Sequence, residues 1–400
     1  MRKVFFAAAT VLLLSGCGLS GTDNEQQQEG ASKVAGSPSG DEALLSKDPA
    51  PGETVQEAIP DSEGRPIMQA QVVLERLGFG PGVIDGKMGL STRNALAGFQ
   101  QANDLSETGE LDDRTKAALQ RWANIPATRV VTIPESWGEV LYRPIPDDPA
   151  DQARLPVLGY ESIDEKLAER FHTTVEVLAQ LNPGGRPAAA GQTPLAAPSP
   201  SPSPSPSASP SPNATAAPQP PVFKAGQLVR VPNVGADRFD AAAVEDKAWL
   251  ATLVALGVGT DQPKAARIVV SKSKGTLKAY DEHDKLVALF TVTSGSSYDP
   301  LPLGHWSING VSKNPPFTYN PELFWDVPDH EEKQQLPPGP NGPVGVVWID
   351  LNKEHYGIHG TPEPQTIGRA ESHGCVRLTN WDAARLAEMV SGSTKVLFEA

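Results

Sequence analysis

Two neighbouring segments decide the fold and the chemistry predicted for this 400-residue chain, His355-Tyr356-Gly357-Ile358-His359-Gly360-Thr361 and Ser372-His373-Gly374-Cys375-Val376-Arg377. A thiolate, and not a thiol, is the nucleophilic form of cysteine, and a thiol with a pKa of ~8.5 is mostly protonated near neutral pH. Cys375 therefore needs a neighbouring histidine or backbone dipoles to activate it. The two segments supply His359 and His373 as candidates.

The alternation of side chains along a strand predicts which residues of the first segment face a cleft. If residues 356–359 form a strand, Tyr356 and Ile358 point into the core. Gly357 and His359 then lie on the opposite face, where His359 reaches the cleft. This pattern favours His359 as a catalytic residue.

The backbone beside the cysteine is suited to stabilise an oxyanion. Because Gly374 has no side chain, a substrate carbonyl can approach the backbone, and the N–H groups around Gly374 and Cys375 can form an oxyanion hole. Two other assignments compete. Cys375 could be a buried, inert thiol, or it could bind zinc with His355, His359 and His373. A glycine between the first two histidines, in a strand-like run, disfavours the zinc site.

The residues around these segments predict a β-rich domain. Four β-rich runs are separated by turn clusters and predict strands: Arg267–Ser271, Leu277–Tyr280, Val287–Thr293 and Val344–Leu351. Thr379 and Asp382 can form a capping box before an amphipathic helix, and a last strand is predicted over Thr394–Phe398. We therefore expect a sandwich-like domain with one or two helices over residues 265–400.

Apolar residues at helical spacing predict a small three-helix domain over residues 66–122. Two stripes share the spacing of a helix face: Ile67, Ala70, Leu74 and Leu77, then Thr92, Ala95, Leu96 and Phe99. Gly78 ends the first helix, and Asp112 or Asp113 can cap a third helix that runs through Leu119.

A further module is predicted over residues 137–234. Two capping boxes, Ser162 with Glu165 and Thr173 with Glu176, each indicate a helix. A closing strand is predicted over residues 227–231. The Pro/Ser-rich tract at 184–222 then lies inside this module as an insertion, in which alternating proline and serine predict an extended polyproline II segment.

The N-terminus reads as an export signal. Arg2 and Lys3 precede the apolar run 4–14, which is too short to span a bilayer, and small residues lead to Cys17. Residues 17–65 are polar and lack periodicity, so we expect a disordered tether. If Cys17 carries lipid, Cys375 has no intramolecular partner, because the chain contains only these two cysteines.

Composition excludes one class of partner. The chain has 34 Lys and Arg residues against 48 Asp and Glu residues, a net charge of -14, and no long basic block. A protein that neutralises phosphates needs clustered basic residues, so no nucleic acid is expected as a partner. The patterns together predict a multidomain α+β protein.

Four parts of the sequence resemble known families. His359-Gly360-Thr361 with Ser372 to Arg377 resembles the signature of the L,D-transpeptidase catalytic domain. Residues 77–100 resemble the three-helix peptidoglycan-binding domain, and Leu158 to Pro183 with Lys224 to Pro232 resembles the lysin motif, a strand-helix-helix-strand glycan-binding module. The segment before Cys17 resembles a bacterial lipoprotein signal peptide, here residues 1–16.

The resemblance to L,D-transpeptidases implies a role for each site residue. Cys375 would be the nucleophile and His359 the proton acceptor and donor, oriented by the carbonyl of Gly360. His373 would help to shape the site beside Gly374. Substrate would contact Arg377, whose guanidinium could bind a donor carboxylate, and Ser372, which could instead simply turn the chain. No cofactor and no metal are implied.

The resemblances imply a peptidoglycan-remodelling transferase. The expected reaction is acyl transfer from a stem peptide through a thioester, with an amine as acceptor; water as acceptor would make the protein an L,D-carboxypeptidase. The rival from another class is a non-catalytic lipoprotein that anchors murein. The expected partners are peptidoglycan and, through lipid on Cys17, the membrane. We expect a location in the cell envelope facing the periplasm, at the outer membrane because Gly18 follows Cys17.

Overall fold

A computed structural model describes residues 54–55, 59–188, 222–235, 239–323 and 332–400. The predicted signal peptide and Cys17 lie outside the described residues. Most of the predicted tether and most of the Pro/Ser-rich insertion lie outside them as well. No helix within the described ranges is both long enough and apolar enough to cross a bilayer.

The N-terminal part contains the three helices that the apolar stripes predict. They are α1 (Pro66–Arg76), α2 (Leu90–Ala102) and α3 (Asp113–Leu119), followed by a 3-10 turn over Gln120–Trp122. The side chain of Asp112 caps α3 by accepting a hydrogen bond from the Thr115 N–H over 2.8 Å. α1 and α2 bury Leu74, Leu96 and Phe99 of the predicted stripes. Ile67 and Leu77 are only half-buried, and Val72 and Val73, outside the predicted stripe, belong to the core instead.

The second module is built on a three-stranded antiparallel sheet. Its strands, in the spatial order β1-β2-β3, are β1 (Thr54–Val55), β2 (Thr128–Thr132) and β3 (Leu228–Pro232). Between β2 and β3 lie helices α4 (Pro149–Gln152), α5 (Ile163–Arg170) and α6 (Val175–Leu181), with 3-10 turns at Glu135–Glu139 and Pro183–Gly185. With β2 as the first strand, β2, α5, α6 and β3 run in strand-helix-helix-strand order.

Three details of this module differ from the sequence predictions. β2 lies before residue 137, where the module was predicted to start, and β1 lies within the predicted disordered tether, which therefore ends earlier than residue 65. Thr174, and not Thr173, caps α6 by accepting from the Val177 N–H. The hydroxyl of Thr173 instead donates to the Ile84 carbonyl of the three-helix domain over 2.7 Å. Ser162 caps α5 as predicted.

The C-terminal domain is mixed α+β and rich in strands. The part of the chain that the structure describes places nine strands in one sheet, in the order β6-β5-β4-β14-β8-β11-β12-β13-β7. They are β4 (Arg267–Ser271), β5 (Thr276–Tyr280), β6 (Leu286–Thr291), β7 (Thr293–Ser294), β8 (Gly304–Lys313), β11 (Val347–Leu351), β12 (Gly357–His359), β13 (Val376–Arg377) and β14 (Lys395–Glu399). A separate hairpin pairs β9 (Phe317–Tyr319) with β10 (Gln334–Leu336).

The ten-residue strand β8 connects the two halves of this sheet. Its first residues pair with β14 and its later residues with β11. Helices α7 (Lys247–Leu256) and α8 (Asn380–Met389) complete the core, with 3-10 turns at Ala241–Ala243, Pro321–Leu323 and Pro364–Thr366. Thr379 caps α8 by accepting from the Asp382 N–H, as the sequence predicts.

The three parts pack tightly against each other. The outer edge of β6 is covered by the three-helix domain, since the N–H of Gly80 donates to the Leu289 carbonyl over 2.8 Å and the N–H of Leu289 donates to the Gly78 carbonyl over 3.1 Å. At a second contact, the buried carboxylate of Glu75 lies 3.0 Å from His172 Nδ1 and 3.3 Å from the Arg385 guanidinium. These contacts place α8 of the C-terminal domain against both N-terminal modules.

Candidate active site

The parallel pairing of β12 with β13 brings the two sequence segments together. Ile358 lies opposite Val376, and His359 lies opposite Arg377. Ile358 and Val376 are fully buried in the core. By alternation, Cys375, Arg377 and His359 lie on the other face of the paired strands, so the cysteine and the histidine are presented side by side.

A large cavity lies over this face. Its volume is about 1300 Å³, and Cys375, His359, His373 and Arg377 all line it. Further walls are formed by Phe317 and Tyr319 of β9, by Val344 before β11, and by the aromatic rings of Trp348 and Tyr356. A cavity of this size is large enough to hold a sizeable ligand.

Tyr356 differs from its prediction. The strand begins at Gly357, so Tyr356 precedes it and lines the cavity, whereas we expected its ring in the core. The ring lies close to Gly374, whose φ of 92° falls in the left-handed region that favours glycine. A Cβ at Gly374 would come within 2.6 Å of the Tyr356 ring, so both backbone conformation and space require glycine beside the cysteine.

His359 is held in one tautomer. Its Nδ1 lies 2.7 Å from the carbonyl oxygen of Gly360, and because a carbonyl only accepts, Nδ1 carries the proton and Nε2 keeps its lone pair. The ring stacks on Trp348, with 5.5 Å between centroids. Burial, and secondly the positive charge of Arg377, lower the pKa of His359 to about 4, although the Gly360 hydrogen bond opposes this. His359 is therefore a neutral imidazole at neutral pH.

Cys375 is a protonated thiol at rest. Burial raises the pKa of the thiol and the charge of Asp299 adds to this, while a hydrogen bond from the Gly357 backbone and the charge of Arg377 lower it. The Sγ atom donates to the His355 carbonyl over 3.7 Å. Since the pKa of the thiol stays above its ordinary value, a base must remove the proton as the sulfur reacts.

Ser372 lies away from the cavity. It is buried, its hydroxyl donates to the Cys375 carbonyl over 2.7 Å, and it accepts from the Gly295 N–H over 2.6 Å. This position disagrees with the prediction that Ser372 contacts substrate. It agrees with the alternative that the serine turns the chain, because the two bonds fix the loop that carries Cys375.

The residues of the zinc alternative do not form a ligand set. Within the described ranges, no three His, Cys, Asp or Glu side chains come close enough together to hold a metal ion. His373 borders the same cavity as Cys375.

Sequence reasoning missed two residues that border the site. Trp348 stacks on His359 because β11 pairs with β12 and places the two residues opposite each other. Asp299 lines the cavity from the loop between β7 and β8 and acts on the Cys375 pKa through its charge. Trp348 lies in a predicted strand, and its alternation with Ile349 could have placed it on the cleft face. No sequence signal marks Asp299.

The fold and the site define the class of this domain. Residues 265–397 match the family model of the YkuD L,D-transpeptidase catalytic domain. Residues 63–119 match the family described as "Putative peptidoglycan binding domain". The chain therefore carries an L,D-transpeptidase catalytic domain together with a peptidoglycan-binding domain, as two of the four resemblances predict.

Two relatives of similar sequence carry the name L,D-transpeptidase. The protein named "Putative L,D-transpeptidase YkuD" in Bacillus licheniformis is 35% identical over 130 residues, which cover 32% of this chain and 63% of that protein. Its namesake in Bacillus subtilis is 51% identical over 57 residues, which cover 14% of this chain and 35% of that protein. The chain thus spans less than two thirds of either relative. A solved L,D-transpeptidase from Mycobacterium smegmatis has 20% identity and a TM-score of 0.28, covering 34% of this chain and 58% of that chain.

Proposed function

We propose that this protein is a cysteine-dependent L,D-transpeptidase that acts on peptidoglycan stem peptides. The observation that carries the proposal is the pairing of β12 with β13, which presents Cys375 and the neutral, oriented imidazole of His359 to one large cavity. A thiol beside a neutral base with a free lone pair is the arrangement that nucleophilic acyl transfer needs.

The first half-reaction forms a thioester. Nε2 of His359 takes the thiol proton as Sγ of Cys375 attacks the carbonyl that follows the L-centre of the third stem residue. Backbone N–H groups around Gly374 and Cys375 stabilise the negative oxygen of the tetrahedral intermediate. When the intermediate collapses, the C–N bond breaks, and His359 returns its proton to the departing amine of the terminal D-amino acid.

The second half-reaction releases the acyl group. An amine attacks the thioester, His359 takes the proton from that amine, and the thiol of Cys375 is regenerated. If water attacks instead, the product is a shortened stem and the protein acts as an L,D-carboxypeptidase. Neither half-reaction needs a cofactor or a metal ion.

The other site residues position these groups. The Gly360 carbonyl keeps the Nδ1 proton of His359 in place, which directs Nε2 toward the reacting atoms, in the role of the third member of a triad. Arg377 favours the thiolate through its charge and can bind a carboxylate of the donor stem. His373 helps to shape the cavity wall.

The N-terminal parts would hold the enzyme on its polymeric substrate. We assign residues 66–122 to a peptidoglycan-binding domain, 137–234 with β2 to a lysin-motif-like module, and 265–400 to catalysis. A lipid on Cys17 would anchor the chain in the envelope, at the outer membrane and facing the periplasm. Such tethering raises the effective concentration of the site at the murein polymer.

Incubation with defined muropeptides tests the proposal. A tetrapeptide donor is offered with and without a second stem that carries a free amine, and the products are weighed. We expect release of the terminal D-amino acid. We also expect a cross-linked dimer whose mass equals the summed masses of the two stems less the mass of that amino acid. A shortened stem alone indicates a carboxypeptidase, and unchanged stems that are nevertheless bound indicate a non-catalytic anchor.

A further inference from the structure

One wall of the active-site domain is attached directly to the lysin-motif-like module. The segment that leads from β10 toward β11 runs along the start of α5, where the N–H of Leu158 donates to the Pro338 carbonyl over 2.9 Å. The N–H of Asn341 donates to the Leu158 carbonyl over 3.0 Å, and its side-chain amide donates to Glu165 over 2.7 Å. The same segment continues into Val344 in the cavity wall.

Asn380, the first residue of α8, forms a second and deeper connection. Its side chain is fully buried. The Nδ2 atom donates to Oε1 of Glu169 on α5 over 2.7 Å and to the Pro340 carbonyl over 3.0 Å. The Oδ1 atom accepts from the Val346 N–H over 3.3 Å. Two donor contacts on one side and one acceptor contact on the other fix the orientation of the amide.

The amide of Asn380 also lies directly against the residue that orients the catalytic base. A Cβ added to Gly360 would collide with Oδ1 of Asn380, so the backbone of Gly360 packs on this oxygen without a gap. The carbonyl of Gly360 is the group that holds Nδ1 of His359. A rotation of the Asn380 amide therefore changes the packing of the peptide that fixes the imidazole.

Glu169 is well placed to hold this amide. It is buried, and its Oε1 accepts from Nδ2 of Asn380. Burial raises the pKa of the carboxyl to about 7, which Tyr160 and Asn380 only partly oppose. Burying the carboxyl group of Glu169 costs stability, and an apolar side chain would fill the same space without that cost. The hydrogen bond to Asn380 is what the carboxyl group adds.

We propose that Glu169 is a positioning residue for the reaction, which holds the Asn380 amide against Gly360 and thereby keeps His359 aligned with Cys375. The module that carries Glu169 is then part of the active-site scaffold as well as a binding module. This inference rests on the proposed function only in the role that it gives to His359.

Three variants of the full chain test the inference. Glu169→Met removes the acceptor at nearly constant volume, and Glu169→Gln restores an acceptor without the charge. The matched control is Thr173→Val, which deletes another buried hydrogen bond of the same module, to the Ile84 carbonyl, and does not contact Asn380. Thermal midpoints show how much stability each variant loses.

Two rates at Cys375 are measured by peptide mass, and His359→Ala sets the lower limit for both. The first is acylation by a carbapenem, a β-lactam that the resemblance to L,D-transpeptidases implies will form an adduct on Cys375. The second is alkylation by iodoacetamide, which needs the thiol and its base but no transpeptidase activity. We expect Glu169→Met to slow both rates by about 10- to 100-fold, as for a catalytic group displaced by about 1 Å. Glu169→Gln and Thr173→Val should stay within about twofold of the wild-type rates.

Two results would overturn the inference. One is a Glu169→Met variant that reacts at the wild-type rate, and the other is a Thr173→Val variant that slows as much as Glu169→Met, which would reduce the effect to general stability. If the wild-type chain leaves the muropeptides unchanged, the proposed function fails, and the alkylation rates still decide the role of Glu169.

Discussion

Acylation of Cys375 should persist in mild acid, because its base does not titrate there. Burial and, secondly, the charge of Arg377 lower the pKa of His359 to about 4, against 6.5 for an ordinary histidine. Only the neutral imidazole can accept the thiol proton. The experiment lowers the pH from 7.5 to 5. The final pH of 5 lies between the pKa of His359, about 4, and the ordinary histidine pKa of 6.5.

The expected magnitude follows from the fraction of neutral imidazole. With a pKa of about 4, roughly 0.9 of His359 is neutral at pH 5, so the rate should fall by only about 10%. With a pKa of 6.5, roughly 0.03 would remain neutral, and the rate should fall by about 30-fold. The acid limb of the profile therefore distinguishes a buried from an exposed base.

The assay follows the covalent adduct that a carbapenem forms with the wild-type chain, by intact mass, from pH 4 to pH 8. Arg377→Gln serves as the comparison, because removing this charge should raise the pKa of His359 and move the acid limb to higher pH. Only the midpoint of the limb is compared, since the substitution can also alter binding. A wild-type midpoint near 6.5 would refute the reasoning.

Four further outcomes are expected. Cys375→Ala should abolish acyl transfer and change stability by at most about 1 kcal/mol, because the side chain is only partly buried; a comparison of turnover and thermal midpoint checks both, and retained turnover would exclude Cys375 as the nucleophile. His359→Ala should slow acylation by about 10² to 10⁴, and His373→Ala by much less; the reverse order in an intact-mass time course would exchange the two roles. Deleting residues 190–220 should leave muropeptide turnover and the thermal midpoint nearly unchanged, since the polyproline II segment that the sequence predicts there would add no core; loss of the folded module would contradict this. Burial raises the pKa of Glu169 to about 7 in the fold, so the stability that this group contributes is complete below about pH 4.5 and is lost as the pH rises through 7. Between pH 4.5 and pH 7, denaturation curves should show the free energy of unfolding of Glu169→Gln gaining up to about 3 kcal/mol relative to the wild type. A difference that stays constant with pH would contradict the raised pKa.

Local patterns predicted the elements whose signals lie within one stretch of chain. Strand β4 matches its prediction residue for residue, and α1, α2 and α8 lie where the apolar stripes and the Thr379 cap indicate. The positions of these elements can be read from the pattern of each segment. Their burial cannot, because β4 is buried on both faces and α8 on nearly every side.

Elements that depend on distant pairing were missed. β2 has a local strand signal, the β-branched run Thr128-Arg129-Val130-Val131-Thr132, which the prediction left out. Its pairing with β3, about a hundred residues further along the chain, has no local signal. Thr173 and Thr174 are adjacent threonines, and the contact of Thr173 with Ile84 in another domain decides which of them caps α6. Neither choice is visible in the local sequence.

The sequence predicted that Cys375 and His359 share one cleft, but it did not predict the contacts that hold them there. The motif residues Cys375, His359 and Gly360 come together because one strand pair carries them all. The contacts that hold them, from Trp348 and Asn380, come from β11 and α8 and depend on how the sheet and helix pack. Side-chain contacts between separate elements carry no periodicity, so a single sequence does not reveal them.

The most direct test of the account is to trap the acyl-enzyme. The wild-type chain is mixed with a tetrapeptide donor without acceptor, quenched in acid within seconds to minutes, and digested for peptide mass. The account predicts that the peptide containing Cys375 gains the mass of the donor less that of the released D-amino acid, and that Cys375→Ala shows no such gain. Release of the D-amino acid without an adduct, or an adduct on any other residue, would contradict it.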